Sequence, residues 1–80
     1  FHTPKNLSMA IAGEAGELVS EFQWLTAEES MKANLKPEQI RDISLEIADV
    51  AIYLFRLVDV LSLDLAKVMR EKIEINQKRF

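Results

Sequence analysis

The chain has no cysteine, and only 2 glycines and 2 prolines among 80 residues. Without cysteine, neither a disulfide nor a thiolate metal site can staple it. So few turn formers exclude an all-β fold, in which short strands need a turn every 8–12 residues or so. No apolar run is long enough to span a membrane, and no signal peptide is visible. An excess of positive charge is also missing. The net charge is −3 and the pI about 5.1, which argues against a nucleic-acid backbone as partner. Cytoplasm is the default compartment, and a start at Phe1 rather than Met leaves room for residues upstream.

What is present is apolar and helical. Hydrophobic residues make up 49% of the chain, too many for disorder. Residues 1–80 read as a single domain with neither repeat nor linker. Thr3-Pro4 is a helix start, with Thr as N-cap and Pro at the first helical position. The first helix is expected from Pro4 to about Trp24. "TAEE" opens a second, short helix, with Thr26 and Glu29 as a capping box, ending near Asn34. Pro37 opens a third, running to about Leu61. "LSLDLAKV" opens a fourth, with Asp64 as N-cap and Leu63 and Val68 as a hydrophobic staple. The fold class is all-α, a helical bundle with short connections. Along the third helix, Ile40, Ile47, Val50, Ile52, Leu54 and Phe55 leave almost no polar side. A helix apolar all round is buried all round, and this chain has too few other helices to cover it. A partner subunit is expected.

Two helices carry carboxylates beside their apolar stripes. At roughly 100° per residue, Leu7, Ile11, Leu18 and Phe22 share one face of the first helix. Glu14 falls inside that stripe, and Glu17 and Glu21 flank it. On the third helix, Glu46 and Tyr53 lie within the stripe edged by Val50 and Leu57, flanked by Asp42 and Asp49. Two i, i+3 pairs therefore face inward, Glu14/Glu17 and Glu46/Asp49. Such neighbours repel, and desolvating them without compensation costs several kcal/mol each, so the cluster needs a counter-charge. Hard carboxylate oxygens suit Mg²⁺, with Mn²⁺ as a possible substitute. A Mg²⁺ held by acids keeps waters and binds phosphates, which suggests phosphate-anhydride chemistry. On the fourth helix, Lys72 and Asn76 share a stripe with Leu65, Val68 and Met69. There they could meet a phosphate or a sugar hydroxyl.

Each residue also has a plainer reading. One ExxE on a helix is usually a solvated face, and two beside apolar stripes weaken that reading. Trp24 and Tyr53 are more often packing residues than ligand contacts. Lys72 is more often a snorkelling stem. His2, near a terminus, is chemically unremarkable. Two rival functions follow. A redox-active di-metal carboxylate site would use Glu-x-x-His pairs, and no His stands three residues after any of these acids. A non-catalytic helical interaction module would keep the acids as a structural cluster, paired to Lys72 or Arg56.

The stretches "FHTPKNLSMAIAGEAGELVSEFQW", "LEIADVAIYLFRLVDVLSLDL" and "KIEINQKRF" resemble the MazG-like all-α nucleoside triphosphate pyrophosphohydrolases. Within that family the dCTP pyrophosphatase branch is most similar. The resemblance covers almost the whole chain. The family signature, ExxE then ExxD, is matched by "EAGE" at Glu14–Glu17 and "EIAD" at Glu46–Asp49. It implies that Glu14, Glu17, Glu46 and Asp49 hold the Mg²⁺ at which a nucleoside triphosphate is split to monophosphate and pyrophosphate. It further implies that Trp24 lies near the base, Tyr53 one turn beyond the metal acids, and Lys72 and Asn76 against the substrate. It implies a homo-oligomer, dimer or tetramer, whose sites a neighbouring subunit completes. The four-helix-bundle core would then be finished by assembly. No nucleic acid polymer and no membrane is expected as partner. Enzymes of the dCTP branch carry an upstream segment that helps close the base pocket. Here the sequence begins at Phe1: either that segment lies outside it or the base pocket is more open, and weaker base selectivity is expected. Phe80 stands where relatives often show Tyr-Pro.

Overall fold

The structure is a computed structural model and describes residues 2–79. Phe1 and Phe80, with the expectations that fall on them, lie outside the described residues. Three α-helices follow one another, α1 (Pro4–Ser20), α2 (Pro37–Val60) and α3 (Leu65–Arg79), with a 3-10 turn at Lys32–Asn34.

The helix starts lie where the sequence puts them. Thr3 Oγ1 accepts from the Asn6 N–H at 3.2 Å. Asp64 Oδ1 accepts from the Lys67 N–H at 3.2 Å. Each satisfies a backbone donor that the first helical turn leaves open. At the start of α2, Pro37 follows Lys36, and Gln39 Oε1 accepts from the Lys36 N–H at 2.8 Å.

Two expectations need correction. The first helix stops at Ser20, not Trp24. The Ser20 hydroxyl donates to the Glu17 carbonyl at 2.5 Å, the oxygen that the Glu21 N–H would take in a continuing α-helix. The Glu21 N–H turns instead to Leu18 O at 3.1 Å, and that of Phe22 to Val19 O at 2.9 Å. Serine competes with the helix for its own carbonyls, and here it prevails. The second correction is that the segment opened by Thr26 forms turns rather than an α-helix. Its capping box is present: Thr26 N–H to Glu29 Oε1 at 2.8 Å, Glu29 N–H to Thr26 Oγ1 at 3.1 Å. Beyond it, Ser30 and Asn34 side chains donate to the carbonyls of Ala27 and Glu28. A single turn is a costly nucleus, and this exposed segment has no packed face to repay it.

At its far end, α2 closes on a left-handed residue that is not glycine. Ser62 has φ 54°. Its N–H donates to Asp59 O at 3.0 Å, and the Leu63 N–H donates to Val58 O at 3.0 Å. These two bonds cap the last carbonyls, a role usually given to glycine.

α1 and α2 pack along each other, while α3 packs along neither. Leu7 on α1 and Ile43 on α2 are the buried apolar residues. The body is a plate of 39 × 38 × 17 Å. Its radius of gyration is 15.7 Å, against about 12 Å for a compact chain of this length. Its accessible surface is 6585 Å², against about 4,900 Å² for a folded monomer of this mass. The excess is apolar in large part: Ile47, Ile52 and Phe55 on α2 and Met69, Ile73 and Ile75 on α3 are all more than half exposed.

Candidate metal centre

Packing α1 against α2 brings their acidic lines together. One carboxylate oxygen each of Glu14, Glu46 and Asp49 lies within 4.8 Å of the others. Glu14 and Glu46 are half-buried and Asp49 is exposed. The trio mixes both helices, so it exists only when the helices are packed.

Glu46 is the member under greatest stress. Its Oε2 is buried and has no hydrogen-bond partner. Its pKa is raised above the ordinary 4.5, first by desolvation, then by the charges of Asp49, Glu17, Glu14 and Glu21. A buried carboxylate oxygen without a donor is uncommon in a folded chain. No cation among the described residues is hydrogen-bonded to it. Among the described residues, no ion pair joins Lys72 to these acids, and the Arg56 guanidinium lies instead 3.2 Å from Nε2 and 3.3 Å from Nδ1 of His2. The salt bridges that a purely structural cluster requires are therefore missing. Three carboxylates with hard oxygen donors, one of them carrying an orphaned oxygen, fit a divalent cation. These carboxylates could bind a metal.

The remaining expected residues are placed unevenly. Glu17 is exposed and stands outside the close trio, although its charge still acts on Glu46. Tyr53 is half-buried, one turn beyond Asp49 on α2. Trp24 lies past the end of α1 and is 87% exposed, so it is not a packing residue within this chain. Lys72 and Asn76 ride on α3, which packs along neither acidic helix. The acids line an open face rather than an enclosed cavity. Sequence reasoning missed the Arg56–His2 contact. The only trace was spacing: Arg56 follows Asp49 by two helical turns, on the same side of α2.

A family model for the MazG-like family matches residues 9–80. The chain belongs to the MazG-like family. Its relatives agree with that placement. It is 38% identical over 80 residues to dCTP pyrophosphatase 1 of Homo sapiens, covering 100% of this chain and 47% of that protein. It is 35% identical to the dCTP pyrophosphatase 1 of Rattus norvegicus, with the same coverage. The chain thus spans about half the length of the curated relatives it matches. A crystal structure of a pyrophosphatase from Archaeoglobus fulgidus superposes with a TM-score of 0.87 at 35% identity, over 99% of this chain and 72% of that one. This MazG-like chain is all-α, as its sequence indicates, and no described helix is long and apolar enough to cross a membrane.

Proposed function

We propose that this MazG-like chain hydrolyses deoxynucleoside triphosphates, dCTP foremost, to the monophosphate and pyrophosphate, with Mg²⁺ as cofactor. The observation that carries the reading is the orphaned Glu46 oxygen inside a carboxylate trio built from two helices. The printed names of its relatives, dCTP pyrophosphatase 1 and a pyrophosphatase, support the substrate class.

Glu14, Glu46 and Asp49 would hold the metal, with Glu17 joining from the flank. Bound there, Mg²⁺ would neutralise phosphate charge and lower the pKa of a water. The chain's own residues do the rest. Water oxygen bonds to phosphorus, the anhydride link between α- and β-phosphates breaks, and pyrophosphate leaves with the electron pair. The water's proton passes to one of the four carboxylates. Trp24 offers a flat face to the base, and such stacking is worth about 1–3 kcal/mol with any base. Tyr53, beside the acids, would crowd a ribose 2′-hydroxyl and favour the deoxy sugar. Lys72 and Asn76 would reach the substrate from a second copy, since α3 packs along neither acidic helix of its own chain. A homodimer or dimer of dimers would also cover the exposed apolar sides of α2 and α3. The compartment proposed for it is the cytoplasm.

The test is a panel of nucleoside triphosphates with pyrophosphate detection, with and without Mg²⁺. Release of pyrophosphate from dCTP, dependent on Mg²⁺ and lost in Glu46→Gln, is expected. Failure to release pyrophosphate from any triphosphate at saturating Mg²⁺ would overturn the reading.

A further inference from the structure

Among the described residues no ion pair joins Arg56 to an acid, although it stands on the side of α2 that carries Glu46 and Asp49. On α2, Asp49 and Arg56 are seven residues apart, which is about 20° around the helix and about 10 Å along it. Tyr53 lies between them. One side of α2 therefore presents, in order, Glu46, Asp49, Tyr53 and Arg56. The guanidinium does not turn back to the carboxylates. It is held by the His2 ring, with Nη1 at 3.2 Å from Nε2 and 3.3 Å from Nδ1. One nitrogen cannot point its hydrogens well at both ring nitrogens, so the contact is mainly a brace. Both side chains are exposed, and the contact engages Nη1 while leaving most of the five N–H donors of Arg56 to other partners.

The placement has a direction. Trp24 and His2 lie beyond opposite ends of α1, with Glu14 between them. A nucleotide whose base lies toward Trp24, with the metal acids at its scissile anhydride, sends its outer phosphates toward the Arg56 end. A planar guanidinium matches a terminal phosphate with two parallel hydrogen bonds, and one held in advance loses little freedom on binding.

We propose that Arg56, braced by His2, binds the terminal phosphate of the triphosphate and the pyrophosphate that leaves. Arg56 is then the residue that measures phosphate-chain length. His2 is a positioning residue that acts through it. The inference rests on the hydrolase reading for the orientation of the nucleotide, but not for the existence of a pyrophosphate site.

Calorimetry on the full chain with Mg²⁺ tests it, using inorganic pyrophosphate and dCMP as separate probes. Arg56→Ala is expected to weaken pyrophosphate by about tenfold to a hundredfold and to leave dCMP unchanged. Arg56→Lys should recover part of the loss, and His2→Ala should show a smaller loss of the same kind. Thermal melting of each variant accompanies the titrations. Equal affinity for pyrophosphate in wild type and Arg56→Ala overturns the proposal. So does a parallel loss for both probes with a lowered melting temperature, because that pattern marks a brace for the fold alone. A wild type that binds pyrophosphate through Arg56 but cleaves no nucleoside triphosphate removes the hydrolase reading and keeps the pyrophosphate site. A wild type that cleaves dCTP with Arg56→Ala unaffected does the reverse.

Discussion

α1 with α2, and α3 alone, are two answers to the same problem. All three helices have apolar stripes. The first two bury part of theirs against each other, at Leu7 and Ile43, and in doing so assemble the carboxylate trio. The third buries none of its residues fully and leaves Met69, Ile73 and Ile75 open to water. The difference lies not in helix quality, since α3 is capped as well as α1. It lies in where the matching surface is. For α1 and α2 that surface is in the same chain. α3 packs along neither of them, and Lys72 and Asn76 lie on it.

The contrast breaks most sharply at Leu7, which is 1% exposed. Leu7→Ala should destabilise the packed pair by about 2–5 kcal/mol, at every protein concentration. Met69→Ala on α3 should instead lower stability only where chains associate. Denaturant titrations at two protein concentrations separate the two behaviours. If both variants respond alike, the division between hairpin and α3 is wrong.

Next in size is a charge placed on an open apolar face. Phe55→Glu on α2 or Ile73→Glu on α3 would bury a carboxylate in a subunit contact, an expected weakening of association by about a hundredfold. Sedimentation velocity reads this directly. A folded 9.2 kDa monomer in wild type would remove the proposed assembly altogether.

These two regions were unequally legible in the sequence. Helix starts at Thr3-Pro4, Pro37 and Asp64 could be read because a cap is a local bargain among four residues. The acidic lines could be read because helical spacing alone fixes a face. Nothing local announced that the Ser20 hydroxyl would end α1, or that the Thr26 capping box would close a turn without a helix behind it. A helical wheel gives angle but not the tilt of one helix on another. It put Glu17 on the flank of the stripe that holds Glu14, and packing leaves Glu17 outside the close trio. The Arg56–His2 contact joins residues 54 apart and needs the hairpin to be closed before it can be seen.

A smaller effect belongs to the hinge between the two regions. Ser62, at φ 54°, takes a left-handed conformation that L side chains resist. Ser62→Gly should raise stability by about 1 kcal/mol, seen as a shift in denaturant midpoint with unchanged slope. A loss would mean that the Ser62 side chain has a partner in the assembled protein.

The gentlest test uses pH. In the metal-free protein Glu46 has a raised pKa, so the folded chain keeps a proton that the unfolded chain releases above 4.5. Between that value and the folded pKa the native state binds more protons, and stability falls as pH rises. Melting in chelator should follow that slope in wild type and lose it in Glu46→Gln. Saturating Mg²⁺ should flatten it as well, since binding to the folded state alone stabilises it. Identical profiles for wild type and Glu46→Gln would show that Glu46 is not under strain.

The connection from residue 21 to 36 sets an order of events. Its turns, its capping box and its 3-10 turn each close on near neighbours, so little of it remains slack when α1 meets α2. Short, pre-bent connections make closure inexpensive in entropy, and contacts between adjacent helices form fast. α3 packs along neither α1 nor α2, and in the proposed assembly its packing would wait for a collision between chains. Refolding is then expected in two phases, one independent of protein concentration and a later one proportional to it. The Glu14–Glu46–Asp49 trio will be complete at the end of the first, before any second chain has arrived.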